Sequence, residues 1–217
     1  MRRKGSALRE LPVLVVVALL VSLFIKSFLV QFFFIPSGSM QTTLEINDRV
    51  AVNKVAFISK TIHRGDIVVF RDPDHWLSDP TKTKESAILT KIKDGLVAVG
   101  VVPNPAKQHL VKRVIGVAGD HIVCCNNQKK ITVNGKPLTE PYIFKGDSPS
   151  ESNFDVTVPA GKLWVMGDHR GASADSRFHQ DDINKGMVPV NKVVGRVVAV
   201  VWPIRHEKFI GRVDTLK

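Results

Sequence analysis

The feature that most limits how this chain can fold is its N-terminal apolar run, Leu11 to Ile25, which resumes after Lys26 and Ser27 as Phe28 to Ile35. A helix crosses the hydrocarbon core of a bilayer with about twenty apolar residues. Leu11 to Ile25 alone falls short. Adding Lys26 to Val30 supplies the length, because the lysine stem lies along apolar surface while its amine reaches the headgroups. A cleavable leader shares the basic start and apolar middle. Here the apolar stretch runs long and no small-x-small site follows it, which favours a retained anchor. Arg2, Arg3, Lys4 and Arg9 against the single acid Glu10 place residues 1–10 in the cytoplasm. Residues 11–31 are then the transmembrane anchor, and everything beyond about 31 lies outside. Val193 to Ile204 is shorter, β-branched and broken by Gly195 and Arg196, so it reads as a buried strand.

With 217 residues the chain can build one good core, or one core plus a small lobe. Its formal net charge is +11. Such a balance fits nucleic-acid binding, yet the chain has no zinc spacing, helix-turn-helix pattern or aromatic-basic RNA motif. No nucleic acid is expected, and a basic face against anionic lipid fits the anchor better. The two cysteines, Cys124 and Cys125, are adjacent, which excludes a long-range staple and supplies no metal site. A vicinal disulfide and a pair of reduced thiols both remain open. No metal and no cofactor are expected.

Beyond the anchor the periodicity changes from helical to strand-like. Asp48–Val52, Asp66–Phe70, Leu110–Val117, Gly119–Cys125, Ile131–Val133, Lys162–Met166 and Val193–Val201 are short apolar runs separated by Gly, Asp, Asn and Pro turns. Asn134-Gly135 is a hairpin signal. The fold class expected is mainly β: an antiparallel sheet, barrel-like or sandwiched, following the transmembrane helix. Residues 32–120 and 163–217 form its β core, with 72–109 as a loop insertion. Residues 121–162 form a small inserted β-hairpin lobe. Ala87 to Val102, inside the insertion, suits a short helix or a segment skimming the membrane.

Pro36-Ser37-Gly38-Ser39-Met40 follows the anchor directly. Two serines around a glycine make a flexible hinge, and composition alone favours that reading. A nucleophilic serine needs a group that takes its proton. The seven histidines lie in loop-like or strand-edge positions without a Gly-x-Ser-x-Gly elbow. A buried lysine can serve, because desolvation disfavours its charged form. Lys112, inside Leu110-Val-Lys-Arg-Val-Ile-Gly116, is a lysine among strand formers. Alternation groups it with Val114, and Arg113 with Ile115, without saying which face is inside.

Four segments in order resemble the bacterial type I signal peptidases, serine protease family S26. They are Ile35-Pro-Ser-Gly-Ser-Met40 with Thr43-Leu44, Arg64-Gly-Asp-Ile-Val-Val-Phe70, Lys112-Arg-Val-Ile-Gly-Val-Ala-Gly-Asp120, and Gly167-Asp-His-Arg-Gly-Ala-Ser-Ala-Asp-Ser-Arg177. The single anchor and the long second-to-third interval resemble the Gram-positive, actinobacterial version. The resemblance implies a Ser/Lys dyad that removes signal peptides from exported preproteins with small-x-small sites. Ser39 is implied as nucleophile and Lys112 as general base, then general acid. Ser37, with the Ser39 N–H, is implied as oxyanion donor, and Ser173 as the residue orienting the lysine. Asp175 and Arg177 are implied as structural support. Ile35, Pro36, Met40, Leu44 and Val111 are candidates to line the pockets for small side chains. The sequence departs from the family in two places: Thr42 stands where proline is frequent, and His169 where asparagine is commoner. A self-cleaving Ser/Lys protease like the SOS repressors shares the dyad logic, but those are cytosolic and carry a DNA-binding head. A catalytically silent tethered β-domain is opposed by the survival of Ser37, Ser39, Lys112 and Ser173.

Overall fold

The computed structural model describes residues 7–55, 62–77, 109–213 and 215–216, with side chains on the first helix at 10–19 and 21. The greater part of the expected 72–109 insertion, Ala87 to Val102 included, lies outside the described residues. Helix α1 runs Ala7–Phe28. Among the described residues no helix is long and apolar enough to cross a membrane. The chain leaves the helix at Leu29 and enters strand β1, Val30–Phe34. The expected anchor segment 11–31 is thus divided between helix and strand. Alternation along β1 buries Phe33 and exposes Phe32 and Phe34, the period-two signature of a half-covered strand.

The remaining strands are β2 (Arg49–Asn53), β3 (Ile67–Arg71), β4 (His109–Gly116), β5 (His121–Cys124), β6 (Thr132–Val133), β7 (Lys136–Pro137), β8 (Phe154–Thr157), β9 (Lys162–Met166), β10 (Val188–Pro189), β11 (Val193–Trp202) and β12 (Lys208–Phe209). Among the described residues they build two antiparallel sheets. The larger has the order β1-β2-β11-β3-β4-β9-β10, with β12 on β11; the smaller has the order β7-β6-β5-β8. The strand path of the larger sheet is open. The β6–β7 hairpin turns through Asn134 and Gly135 at φ 51° and 76°, the paired left-handed conformations that a two-residue hairpin requires. Cys124 and Cys125 are joined in a vicinal disulfide at the end of β5.

Both faces of the larger sheet are covered, which is why β3 reads Ile-Val-Val-Phe instead of alternating with polar residues. Ile67 and Val69 pack with Phe33, Ile35, Met40, Leu44, Val50 and Val52. Val68 and Phe70 pack on the opposite face with Leu110, Val114, Leu163 and Val165. A third cluster joins the sheets, seating Ile115, Trp164 and Met166 against Ile122, Ile131, Val133 and Phe154. Burial of this order, about 1.5–3 kcal/mol per large apolar side chain, fixes strand register because a one-residue slip would move each of them to the opposite face, among partners it does not fit.

Candidate active site

Lys112 sits in the middle of β4 and is 4% exposed. Its place in the alternation, between Leu110 and Val114, aims it at the face that packs Val68, Phe70, Leu163 and Val165. Burial among these groups pushes the amine down from its ordinary 10.5 to about 8, against the raising effect of the Asp175 charge. The Arg177 charge lowers it further, and that of Asp168 raises it.

β4 pairs with β9 through Arg113 and Met166. Continuing that antiparallel register by one residue sets Gly167 across from Lys112, with both facing the same side. A Cβ on Gly167 would lie 2.3 Å from Ser173 Oγ and 2.4 Å from the carbonyl oxygen of Ser39. The bare α-carbon therefore lets the two serines close over the strand beside Lys112. Ser39 is held there by its own carbonyl, which accepts from the His169 N–H at 3.1 Å. Its hydroxyl oxygen is 3.5 Å from that of Ser37, with either able to donate. Ser173 is buried, and among the described residues its Oγ has no hydrogen-bond partner.

Below the serines, Asp175 accepts from the Gly167 N–H at 3.0 Å and from Nε and Nη2 of Arg177, each at 2.9 Å. Arg177 Nη2 also donates to the Arg170 carbonyl at 2.8 Å. This buried pair stitches the closing loop to itself. Of the expected pocket set, Ile35, Met40 and Leu44 are fully buried side by side, Val111 is partly buried against them, and Pro36 is exposed. Val111 and Pro36 are thus the members of that set that reach solvent.

The structure adds residues to which the sequence reading gave no role. Arg113 points to the face opposite Lys112, where it holds Asp168 bidentately, donates to the Gly65 carbonyl at 2.8 Å and lies 3.8 Å over the Tyr142 ring. Thr43 donates to Asp168 and accepts from Arg113, so the loop after Ser39 is fastened to β4. Arg113 and Asp168 both lie inside the quoted motifs, and a residue pair of opposite charge within them was the available signal. Thr42, next to Thr43, has φ 83°, a conformation closed to the proline that is frequent at this place in the family. Gln41 and His169 also touch, at 3.2 Å.

Residues 8–202 match the family described as signal peptidase, peptidase S26. The signal peptidase I of Mycobacterium tuberculosis strain H37Rv is 36% identical over 220 residues, covering 92% of this chain and 74% of that protein. The signal peptidase I of Leptolyngbya laminosa is 31% identical over 196 residues, covering 89% and 79%. A crystal structure of a signal peptidase I from Enterococcus faecalis superposes with a TM-score of 0.39 at 22% identity, over 63% of this chain and 96% of that one. This chain belongs to the signal peptidase family of peptidases, S26. It is a hydrolase of the signal peptidase I type.

Proposed function

We propose that the chain is a membrane-anchored endopeptidase that removes signal peptides with a Ser39/Lys112 dyad. The observation that carries this is the convergence at Gly167: the Ser39 carbonyl and the Ser173 hydroxyl close over the residue that the extended β4–β9 register sets opposite the buried Lys112. The neutral Lys112 amine takes the Ser39 proton as Oγ attacks the scissile carbonyl carbon. The oxyanion so formed accepts from the Ser37 hydroxyl and the Ser39 N–H. Removing one such donor elsewhere costs about 10²–10³ in rate. The resulting ammonium gives its proton to the leaving amine as the C–N bond breaks. Water, deprotonated by the same amine, then hydrolyses the ester. Ser173 orients the amine, and Asp175 and Arg177 support the loop that carries Ser173. No metal or cofactor takes part.

Ile35, Pro36, Met40, Leu44 and Val111 form the rim and floor that admit small side chains before the cut. Residues 1–10 are cytoplasmic, α1 is the anchor of a single-pass plasma-membrane protein, and the sheets are extracytoplasmic. Preprotein and enzyme then share the plane of the bilayer, which raises effective concentration without new contacts. Phe32, Phe34, Trp202, Ile204 and Phe209 are exposed towards the end of the sheet where Phe34, Arg49 and Trp202 align, the end of β1 away from α1, with Arg49, Arg205 and Lys208 among them. Such a surface suits an anionic lipid interface.

Cleavage of a preprotein with an Ala-x-Ala site by the full chain in detergent tests the dyad. Ser39→Ala and Lys112→Ala are expected to lose activity while melting cooperatively. Folded variants that cut at the wild-type rate overturn the assignment. Loss of binding to phosphatidylglycerol vesicles when Phe32, Phe34 and Trp202 become serine tests the lipid surface.

A further inference from the structure

The His169 imidazole has no role in the chemistry above, yet it touches both walls of the site. Its main-chain N–H donates to the Ser39 carbonyl. Its ring is stacked on Phe144, with centroids 4.0 Å apart and planes 16° from parallel. Nδ1 lies 3.2 Å from Gln41 Oε1, and Nε2 lies 3.9 Å from Asp147 Oδ2. Gln41 in turn directs its amide nitrogen to Glu45 at 3.2 Å, which fixes its oxygen towards His169. That oxygen also covers Gly38, within 2.6 Å of where a Cβ would stand. An amide oxygen only accepts, so Nδ1 carries the hydrogen and the neutral ring presents a lone pair at Nε2. That lone pair faces a carboxylate; only the protonated ring donates on both sides.

We propose that His169 is a positioning residue that holds the Ser39 loop through Gln41. The inference rests on the Ser39 assignment. The Nδ1–Gln41 bond exists in both protonation states and sets where Gly38 and Ser39 stand. The ring is further held by its stacking on Phe144 and turns Nε2 towards Asp147. Asp147 is kept in place by the Gly171 N–H at 3.0 Å. The other charges around the ring are engaged elsewhere: Asp168 with Arg113, Arg170 with Glu140, and Glu45 with Gln41. Lys145, beside Phe144, is exposed. Asp147 is therefore the carboxylate that can answer a charge on Nε2.

The test uses the full chain in detergent with His169→Asn, His169→Ala and Asp147→Asn, and Ser39→Ala as control. The asparagine amide nitrogen occupies the place of Nδ1 but does not titrate. At pH 8–9, His169→Ala is expected to lose about tenfold in kcat with KM little changed, the cost of a displaced nucleophile. His169→Asn is expected to recover to within about threefold of wild type. Asp147→Asn, which leaves the Nδ1–Gln41 contact in place, is expected to keep kcat within about threefold of wild type. An asparagine variant no faster than the alanine one, or a loss in Asp147→Asn as large as in His169→Ala, overturns the Gln41 role. Activity surviving in Ser39→Ala would instead overturn the nucleophile.

Discussion

Arg113 grips Asp168 through two parallel hydrogen bonds, Nε to Oδ1 at 2.7 Å and Nη2 to Oδ2 at 2.6 Å, with both side chains closed to solvent. Neither charge has water to fall back on, so removing one partner strands the other. Breaking a buried pair in this way costs about 3–5 kcal/mol. Asp168→Asn and Arg113→Met should each lower urea-unfolding stability by that order, and the double variant should recover part of the loss. Arg113→Lys should not rescue, because an ammonium cannot reproduce the fork or reach the Gly65 carbonyl and Thr43 together. Equal stabilities for wild type and Asp168→Asn would contradict the pairing.

Lys112 trades stability for a usable proton acceptor. Unfolded, its amine titrates near 10.5; folded, at about 8. Between those values the unfolded chain binds more protons, so stability rises with pH. Below about pH 8 both states are charged, and the burial penalty stands in full, on the order of 3 kcal/mol. Lys112→Met should therefore be more stable than wild type at pH 7, with the gap closing above about pH 10. The same variant should be inactive, while wild-type kcat/KM climbs with pH and levels off above about 8. A wild-type profile already flat at pH 6 would refute the neutral amine as the base.

Gly167 is required for space, since the three nearest atoms a methyl group would meet, Ser173 Oγ and Cβ and the Ser39 carbonyl oxygen, belong to the site. Ser39 O, at 2.4 Å from the added Cβ, is main chain and cannot swing aside; Ser173 Oγ, at 2.3 Å, would have to rotate away from its seat. Gly167→Ala should reduce activity at least a hundredfold and cost about 1–3 kcal/mol of stability. An alanine variant with wild-type kcat would show that the serines do not close over this residue.

Strand existence was readable from the sequence because turns punctuate it: Lys162–Met166 stands as expected, and Val193–Val201 gains only Trp202. The face of Lys112 was not readable. Val111, Arg113 and Ile115 are covered to a similar degree as Leu110, Lys112 and Val114, so period two carries no inside-outside signal on a strand buried on both sides. The end of the helix was hidden for a related reason. Phe28 to Ile35 is apolar except for Gln31, and only pairing with β2 makes Val30–Phe34 a strand. Ser37, Ser39 and Ser173 were singled out through their motifs, whereas the meeting of Ser39 and Ser173 at Gly167 was not readable there. His169 stood out in the sequence only as a departure from asparagine, because its contacts with Gln41, Phe144 and Asp147 are long-range products of folding.

Ser173 separates function from stability more cleanly than any other position. Its hydroxyl is buried, and among the described residues nothing bonds to Oγ. A buried polar group without a partner carries its desolvation cost uncompensated, so deleting it costs the fold little. Ser173→Ala should melt within about 1 kcal/mol of wild type or slightly above it. If the hydroxyl orients the Lys112 amine, kcat should nonetheless fall by about 10²-fold, with KM nearly unchanged and the pH profile displaced. Thermal melts and pH–rate curves on the same preparation decide it: a stable variant with full kcat removes Ser173 from the mechanism, and a variant that loses both has a structural serine.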